Sequence, residues 1–153
     1  MQTIEGDLDI KGKKFAVVLA RFNEYIGSQM LEGALDCFKK QGVADDDIVL
    51  VKVPGAFEIP VAADKLARSG KYSAIICLGA VIRGGTPHFE YVAGAAATGI
   101  QEVSLKYLIP VVFGVLTTND VEQAVERAST SKMNKGYEAA MVAIEMASLL
   151  EKI

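Results

Sequence analysis

The sequence has one histidine, two cysteines and no tryptophan among its 153 residues. A single histidine and two distant cysteines cannot supply the clustered ligands that a zinc site needs, so we expect no metal. Cys37 and Cys77 both stand in apolar surroundings. This pattern is typical of buried, inert thiols in a reducing compartment, and it predicts a cytoplasmic protein.

The sequence also lacks a strong excess of either charge and any long apolar run. The net charge is -3 and no block of Lys and Arg occurs, so the sequence does not favour a nucleic-acid partner. The longest apolar runs contain Gly or Pro and fall short of the roughly 20 residues of a membrane span. The N-terminus lacks the basic and apolar regions of a signal peptide. We expect one globular domain over residues 1–153, without membrane contact.

Four short apolar runs alternate with helical patterns. The runs lack polar alternation, as expected of strands that are covered on both faces. The runs span Phe15–Ala20, Ile48–Val53, Ala74–Ile82 and residues 111–117. Helical patterns cover residues 30–38, 57–69, 87–107 and 136–150, and Asn119 can cap a further helix. This alternation predicts a three-layer α/β/α sandwich with a flavodoxin-like parallel sheet in the order 2-1-3-4.

In this order, successive strands are added on one side of strand 1 and then on the other, so the strand order reverses between strands 1 and 3. Ligands favour the crevice at the carboxyl ends of the strands at such a point. Strand 3 leads into Gly84 and Gly85, then Thr86 as a helix cap and Pro87 as the first helical residue. The free N–H groups of a helix start favour an anion. His88 brings the type of side chain that most often moves protons in enzymes. We therefore hypothesise a phosphate-sized pocket with a proton shuttle.

Five other residues are candidates for binding, and four of them have a structural alternative. Glu58 follows strand 2 in a first helical turn, where the helix dipole alone favours a carboxylate, but it could also bind a polyol. Phe22 and Phe57 could stack on a flat heterocycle or belong to the core. Arg127 lies near the end of the fourth helix, where the helix dipole favours a cation in any case, and Lys135 opens the last helix. Either cation could bind phosphate.

The first dozen residues alternate weakly at Ile4, Leu8 and Ile10 and have no obvious partner strand within the chain. A short unpaired strand often pairs with a neighbouring molecule. We expect this segment to form a strand on the sheet of a neighbouring subunit.

The chain resembles the lumazine synthase family over essentially its whole length. The likeness rests on ARFN at 20–23, VPGAFEIP at 53–60, IRGGTPHF at 82–89, FGVLTT at 113–118 and NKG at 134–136. It implies the penultimate step of riboflavin biosynthesis, without cofactor or metal. In that step 5-amino-6-(D-ribitylamino)uracil condenses with 3,4-dihydroxy-2-butanone 4-phosphate to give 6,7-dimethyl-8-ribityllumazine.

The resemblance also implies where the ribitylaminouracil binds. Phe22 stacks on the pyrimidine and Phe113 packs on the heterocycle. Ala56, Phe57 and Glu58 hold the ribityl chain, with Glu58 accepting hydrogen bonds from its hydroxyls. The backbone groups implied at the polar edge of the ring belong to Ala80, Val81 and Ile82.

A second set of matching residues is implied at the phosphate. Gly85 and Thr86 cradle it, Arg127 pairs with it, Lys135 lies near it, and His88 moves protons.

The family resemblance further implies an assembly of identical chains. The residues that match Phe113 and Arg127 reach in from the adjacent subunit, so one site needs two chains. The loop before Asn134 has no insertion, which in this family goes with a sixty-subunit icosahedral shell built from pentamers. Riboflavin synthase is a further partner implied by the likeness.

Two alternatives remain open on the residues alone. One is a flavodoxin-like module that binds flavin or a phosphorylated metabolite without catalysis. The other is a structural shell protein whose site has changed, since residues 129–133 depart from the usual family sequence. Flavin binding without turnover would favour the first, and assembly without catalysis would favour the second.

Overall fold

The computed structural model describes residues 1–153 and contains one sheet of four parallel strands. The strands are β1 (Phe15–Ala20), β2 (Ile48–Val53), β3 (Ala74–Ile82) and β4 (Val111–Thr118). Their order across the sheet is β2-β1-β3-β4, which confirms the predicted order. Only β4 differs in its bounds, since it ends one residue later than the apolar pattern predicts.

Five helices cover the two faces of the sheet. They are α1 (Glu24–Lys40), α2 (Ile59–Arg68), α3 (His88–Tyr107), α4 (Val121–Ala128) and α5 (Lys135–Lys152). One face packs against α1, α4 and α5, and the other packs against α2 and α3. This arrangement confirms the three-layer sandwich. None of the helices is both long and apolar enough to cross a membrane.

The strand β1 shows why the predicted strands read as continuous apolar runs. Phe15, Val17 and Leu19 enter the core beneath α1 and α5. The residues between them enter the opposite core, beneath α2 and α3. Because successive side chains of a strand point to opposite faces, a strand covered on both faces needs an apolar residue at every position.

Two glycines allow α1 and α5 to pack closely. A Cβ on Gly136 would overlap the carbonyl of Met30, and one on Gly33 would overlap the side chain of Asn134. The close contact fixes where α5 begins. It thereby fixes the position of Lys135, which is the first residue of that helix.

The cap predicted for the third helix is wrong. Pro87, and not Thr86, occupies the cap position of α3, and no side chain caps this end. Pro87 has φ -71° and ψ 5°, which is not helical, so the helix begins one residue later than predicted, at His88. Without a capping side chain, the first N–H groups of α3 stay free for another acceptor.

The cap predicted for the fourth helix is wrong as well. Asp120 caps α4 by accepting a hydrogen bond of 2.8 Å from the backbone N–H of Gln123. Asn119 lies one residue before the cap, and its side chain accepts a bond from the guanidinium of Arg83. The second helix also differs from the prediction, since a 3₁₀ turn at Ala56–Glu58 precedes the α-helical part.

The N-terminal residues 1–12 form no strand within the single chain. Asp7 instead lies against α5, where it accepts hydrogen bonds from Ser148 Oγ at 2.6 Å and Lys152 Nζ at 2.8 Å. The bond from Lys152, together with that from Ser148, holds the pKa of the Asp7 carboxyl well below its usual range. Pairing of this segment with a neighbouring subunit stays a prediction.

Both cysteines are free and buried, as the sequence predicts. Burial raises the pKa of the Cys37 thiol to about 11, and it also raises the pKa of Cys77. Burial and a raised pKa both disfavour the thiolate, which agrees with the inert thiols that the sequence predicts.

Candidate active site

A cleft of about 610 Å³ opens at the carboxyl ends of β1 and β3. This volume lies within the range of roughly 300–1,000 Å³ that is usual for small-molecule sites. The cleft brings together most of the predicted residues, namely Phe22, Ala56, Phe57, Glu58, Ala80, Val81, Ile82, Thr86 and His88. Sequence reasoning missed Asn23, Phe89 and Tyr91, which also line it.

Asn23 explains how the two strands that flank the cleft are held. It adopts the left-handed conformation, with φ 58°, at the start of α1. Its side-chain Nδ2 donates a hydrogen bond of 3.0 Å to the carbonyl oxygen of Ala80 on β3. Asparagine tolerates this conformation better than most residues, and that tolerance is the signal that could have identified it.

Two aromatic rings at the cleft are uncovered. Phe22 is 72% exposed and Phe57 is 59% exposed, so neither belongs to the core. The backbone N–H of Phe22 donates to the carbonyl of Pro54 at 3.0 Å, which fixes the turn after β1 beside the turn after β2. Exposed apolar rings on a concave surface are suited to stacking on a flat ligand.

Glu58 places a carboxylate at the same edge of the sheet. It ends the 3₁₀ turn at Ala56–Glu58, and its side chain is half-buried with no hydrogen-bond donor from the chain. A Cβ on Gly55 would lie 3.2 Å from Glu58 Oε2, so glycine there leaves room for the carboxylate close to the backbone. Both carboxylate oxygens are free to accept hydrogen bonds from ligand hydroxyls.

The segment from Gly84 to Phe89 presents free backbone N–H groups. No backbone N–H in this segment donates to an acceptor within the chain, and Pro87 has none. Gly84 and Thr86 line the cleft, whereas Gly85 between them is exposed and does not line it. N–H groups at the start of a 20-residue helix favour an anion through both hydrogen bonding and the helix dipole.

His88 stands in the first turn of α3, where it is exposed and lines the cleft. No hydrogen bond from the chain fixes the orientation of its ring. The imidazole can therefore turn towards a bound ligand and exchange protons with it.

The structure does not bring Phe113, Arg127 and Lys135 to this cleft. They line a separate depression of about 370 Å³ beside β4 and α5. Arg127 Nη1 donates to the carbonyl of Gln123 at 3.1 Å and has no carboxylate partner. Lys135 Nζ pairs with Glu138 Oε2 at 2.8 Å. No lysine or arginine lines the cleft itself, whereas two cations line the depression.

Asn134 organises the side of the depression that carries the cations. Its buried side chain donates to the carbonyls of Gln29 and Ala128, each at 2.9 Å, and accepts a bond of 3.0 Å from the N–H of Tyr137. One side chain thus joins α1, the end of α4 and the start of α5. It fixes the segment between Arg127 and Lys135.

A family model described as 6,7-dimethyl-8-ribityllumazine synthase matches residues 12–151. The chain belongs to this family. A curated relative named 6,7-dimethyl-8-ribityllumazine synthase, from Desulfatibacillum aliphaticivorans, is 58% identical over 149 residues, which is 97% of this chain and 96% of the relative. A relative of the same name from Clostridium kluyveri is 55% identical over 153 residues, which is 100% of this chain and 99% of the relative.

Membership in the lumazine synthase family confirms the resemblance drawn from the five sequence segments. The matched region contains every strand and helix described above except the last residue of α5. Nowhere in this chain do three His, Cys, Asp or Glu side chains come together as ligands for a metal ion.

Proposed function

We propose that this chain catalyses the condensation of 5-amino-6-(D-ribitylamino)uracil with 3,4-dihydroxy-2-butanone 4-phosphate to 6,7-dimethyl-8-ribityllumazine. The observation that carries the proposal is the set of groups that line the cleft. Stacking rings, an unpartnered carboxylate, free helix N–H groups and a histidine converge there, in a chain of this family.

The ribitylaminouracil occupies the part of the cleft between β1 and the turn after β2. Phe22 stacks on the pyrimidine, and Glu58 accepts hydrogen bonds from the ribityl hydroxyls, with Ala56 and Phe57 beside the chain. The pairing of β3 with β1 ends at Leu78. Along the last residues of β3, Ala80, Val81 and Ile82, the edge that faced β1 is therefore free of strand pairing. Only the Ala80 carbonyl is engaged there, by Asn23 Nδ2, and the rest of this edge can bind the polar side of the ring.

The phosphate of the second substrate binds at the start of α3. Thr86 and the N–H group of Gly85 belong to the segment with free donors, which suits a phosphate. Arg127 and Lys135 of an adjacent chain complete this end, and Phe113 of that chain covers the heterocycle. The absence of cations from the cleft and their presence in the depression support this division.

The reaction needs geometry and proton transfer from the protein. The primary amine attacks the ketone and forms an imine with loss of one water. Removal of a proton from the hydroxyl-bearing carbon then expels phosphate from the four-carbon unit and leaves an enol, which tautomerises to a second carbonyl. Attack of the second amine on this new carbonyl closes the ring with loss of another water. His88 moves protons in these steps. Holding two reactants in place can contribute up to about 7–11 kcal/mol, so we expect positioning to dominate.

We further propose that the chains form pentamers and a sixty-subunit shell, with riboflavin synthase as a further partner. The N-terminal strand is added to the sheet of a neighbouring chain. Support comes from β2, a free edge of the sheet where Leu50 is exposed, since unpaired edges accept further strands. Light scattering of the purified protein measures the size of the assembly. A reducing, cytoplasmic location stays a prediction.

Mixing the purified protein with both substrates and following the absorbance of the lumazine tests the activity. We expect turnover that saturates in each substrate and disappears when either one is omitted. Flavin binding without turnover would instead make the chain a binding module. An intact assembly without turnover would make it a structural shell protein.

A further inference from the structure

Arg83 directly follows β3 and contacts the end of β4 and the first turn of α3, around the segment with free N–H groups. Its backbone N–H donates to the carbonyl of Thr118 at 2.8 Å. Its Nε donates to Asn119 Oδ1 at 3.2 Å, and its Nη1 pairs with the carboxylate of Glu90. Its guanidinium lies 4.3 Å from the centre of the Phe89 ring. One side chain therefore joins the end of β3, the end of β4 and the first turn of α3.

These contacts hold the loop of residues 84–87, which little else constrains. Residues 84–87 leave Arg83 and return to its guanidinium through Phe89 and Glu90. A Cβ on Gly84 or Gly85 would meet no atom within 4 Å, so packing does not hold the loop. Two consecutive glycines also give the backbone wide conformational freedom. Without the guanidinium, the free N–H groups would be distributed over many orientations.

The ion pair of Arg83 and Glu90 also sets the charge at this end of α3. Glu90 places a carboxylate in the first turn of the helix, where it would repel an incoming phosphate. The hydrogen bond from Arg83 is the main cause that holds the pKa of Glu90 below its usual value. The carboxylate is thus ionised and neutralised by its partner.

We infer that Arg83 is a positioning residue for the phosphate-bearing substrate. It holds the 84–87 loop in the conformation that receives the phosphate, and it neutralises Glu90 beside that loop. The inference rests on the proposed function. Arg83 acts through the loop and through Glu90, and it needs no contact of its own with the substrate.

Arg83→Ala tests this in the steady-state kinetics of the assembled protein. We expect the KM for the butanone phosphate to rise about tenfold, which lies between the small effect of an exposed ion pair and the roughly hundredfold of a 1 Å displacement. The KM for the ribitylaminouracil should stay within about twofold, since the guanidinium contacts Asn119, Glu90 and Phe89 and none of the residues proposed to bind that substrate. Inhibition by inorganic phosphate should weaken in parallel with the first KM.

Three further variants separate geometry from charge. Arg83→Lys should restore the KM only in part, because an ammonium cannot reproduce the planar fork that reaches both Asn119 and Glu90. Adding Glu90→Gln to Arg83→Ala should recover part of the loss, since it removes the unpaired carboxylate. Arg68→Ala is the matched control, as Arg68 pairs with Asp64 on α2, away from the cleft.

The outcomes distinguish the inference from the proposed function. If the unaltered protein shows no turnover, the proposed function fails, and weakened binding of inorganic phosphate by Arg83→Ala still measures the role of the loop. If the unaltered protein is active but both KM values rise equally, or neither changes, the role of Arg83 is merely structural or absent. Either result would overturn the inference. Thermal unfolding of each variant shows that it is folded.

Discussion

The cleft at the ends of β1 and β3 and the depression beside β4 differ in chemistry. The cleft contains exposed rings, a free carboxylate, a histidine and unpaired N–H groups, but no lysine or arginine. The depression contains an exposed ring and two cations, and its single carboxylate, Glu138, is paired with Lys135. Each region supplies what the other lacks.

This difference indicates what one chain can and cannot do. Under the proposed function the cleft binds the neutral ribitylaminouracil, for which stacking and hydrogen bonding suffice. A phosphate that leaves during the reaction needs more charge stabilisation than backbone N–H groups provide, and arginine supplies it with two parallel hydrogen bonds. A site formed by the cleft of one chain and the depression of the next meets both needs.

Replacing Arg127 should break this complementarity most strongly. For Arg127→Ala we expect kcat/KM to fall about 10²–10³-fold, the range for removal of one preorganised group that stabilises charge. The depression keeps its shape, so the loss reflects charge. Steady-state assays with both substrates measure it.

Lys132→Ala is the control, because Lys132 is exposed, lies between Arg127 and Lys135 in sequence and makes no ion pair. Its activity should stay close to that of the unaltered protein. An Arg127→Ala protein with unaltered kcat/KM would place the phosphate elsewhere.

Mixing two disabled chains tests whether the site is divided between subunits. One chain carries Arg127→Ala, and the other carries Phe22→Ala with Glu58→Ala in the cleft. Coexpression in equal amounts should restore about a quarter of the normal activity, since about half of the clefts and half of the depressions are intact. Assays of the coexpressed assembly and of each variant alone measure the recovery. A coexpressed assembly as inactive as its components would mean that each chain contains its whole site.

Replacing His88 should have a smaller effect. For His88→Ala we expect kcat to fall about tenfold, below the roughly 10²–10⁴-fold typical of a positioned acid–base group, because no hydrogen bond fixes this exposed ring. The KM values should change little. Steady-state kinetics measure both, and circular dichroism verifies the fold. Complete inactivity of a folded, assembled variant would show that proton transfer outweighs positioning.

The sequence predicts most of the fold and of the cleft because both depend on local patterns. The apolar runs give the strands to within one residue, and the reversal between strands 1 and 3 locates the cleft. The helix caps at Thr86 and Asn119 are wrong because cap residues compete with neighbours one position away, as Pro87 and Asp120 show. Such competition depends on backbone angles that residue preference alone does not determine.

The role of Asn134 lies beyond sequence reasoning for a different reason. Its contacts with Gln29 and Ala128 join parts of the chain that are distant in sequence, and only the packing of α1 against α5 brings them together. Sequence spacing likewise gives no sign that Arg83 meets Asn119, which lies 36 residues away.

The two regions also differ in how a single asparagine holds each of them. Asn134→Ala removes three hydrogen bonds at the depression and should lower the free energy of unfolding by about 3 kcal/mol. Asn23→Ala removes one hydrogen bond at the cleft and puts alanine in the left-handed region, and it should lower the free energy of unfolding by about 2 kcal/mol. Thermal unfolding at matched protein concentration compares them.

Activity assays of these two variants below the unfolding transition sharpen the comparison. Asn134→Ala should raise the KM for the butanone phosphate by less than about fivefold, because it moves the segment between Arg127 and Lys135 without removing either cation. Asn23→Ala should act instead on the KM for the ribitylaminouracil, because Asn23 follows Phe22, on which we propose that the ring stacks, and bonds to the end of β3. Each asparagine thus reports on one substrate. Equal changes in both KM values for both variants would show that the cleft and the depression respond as one rigid unit.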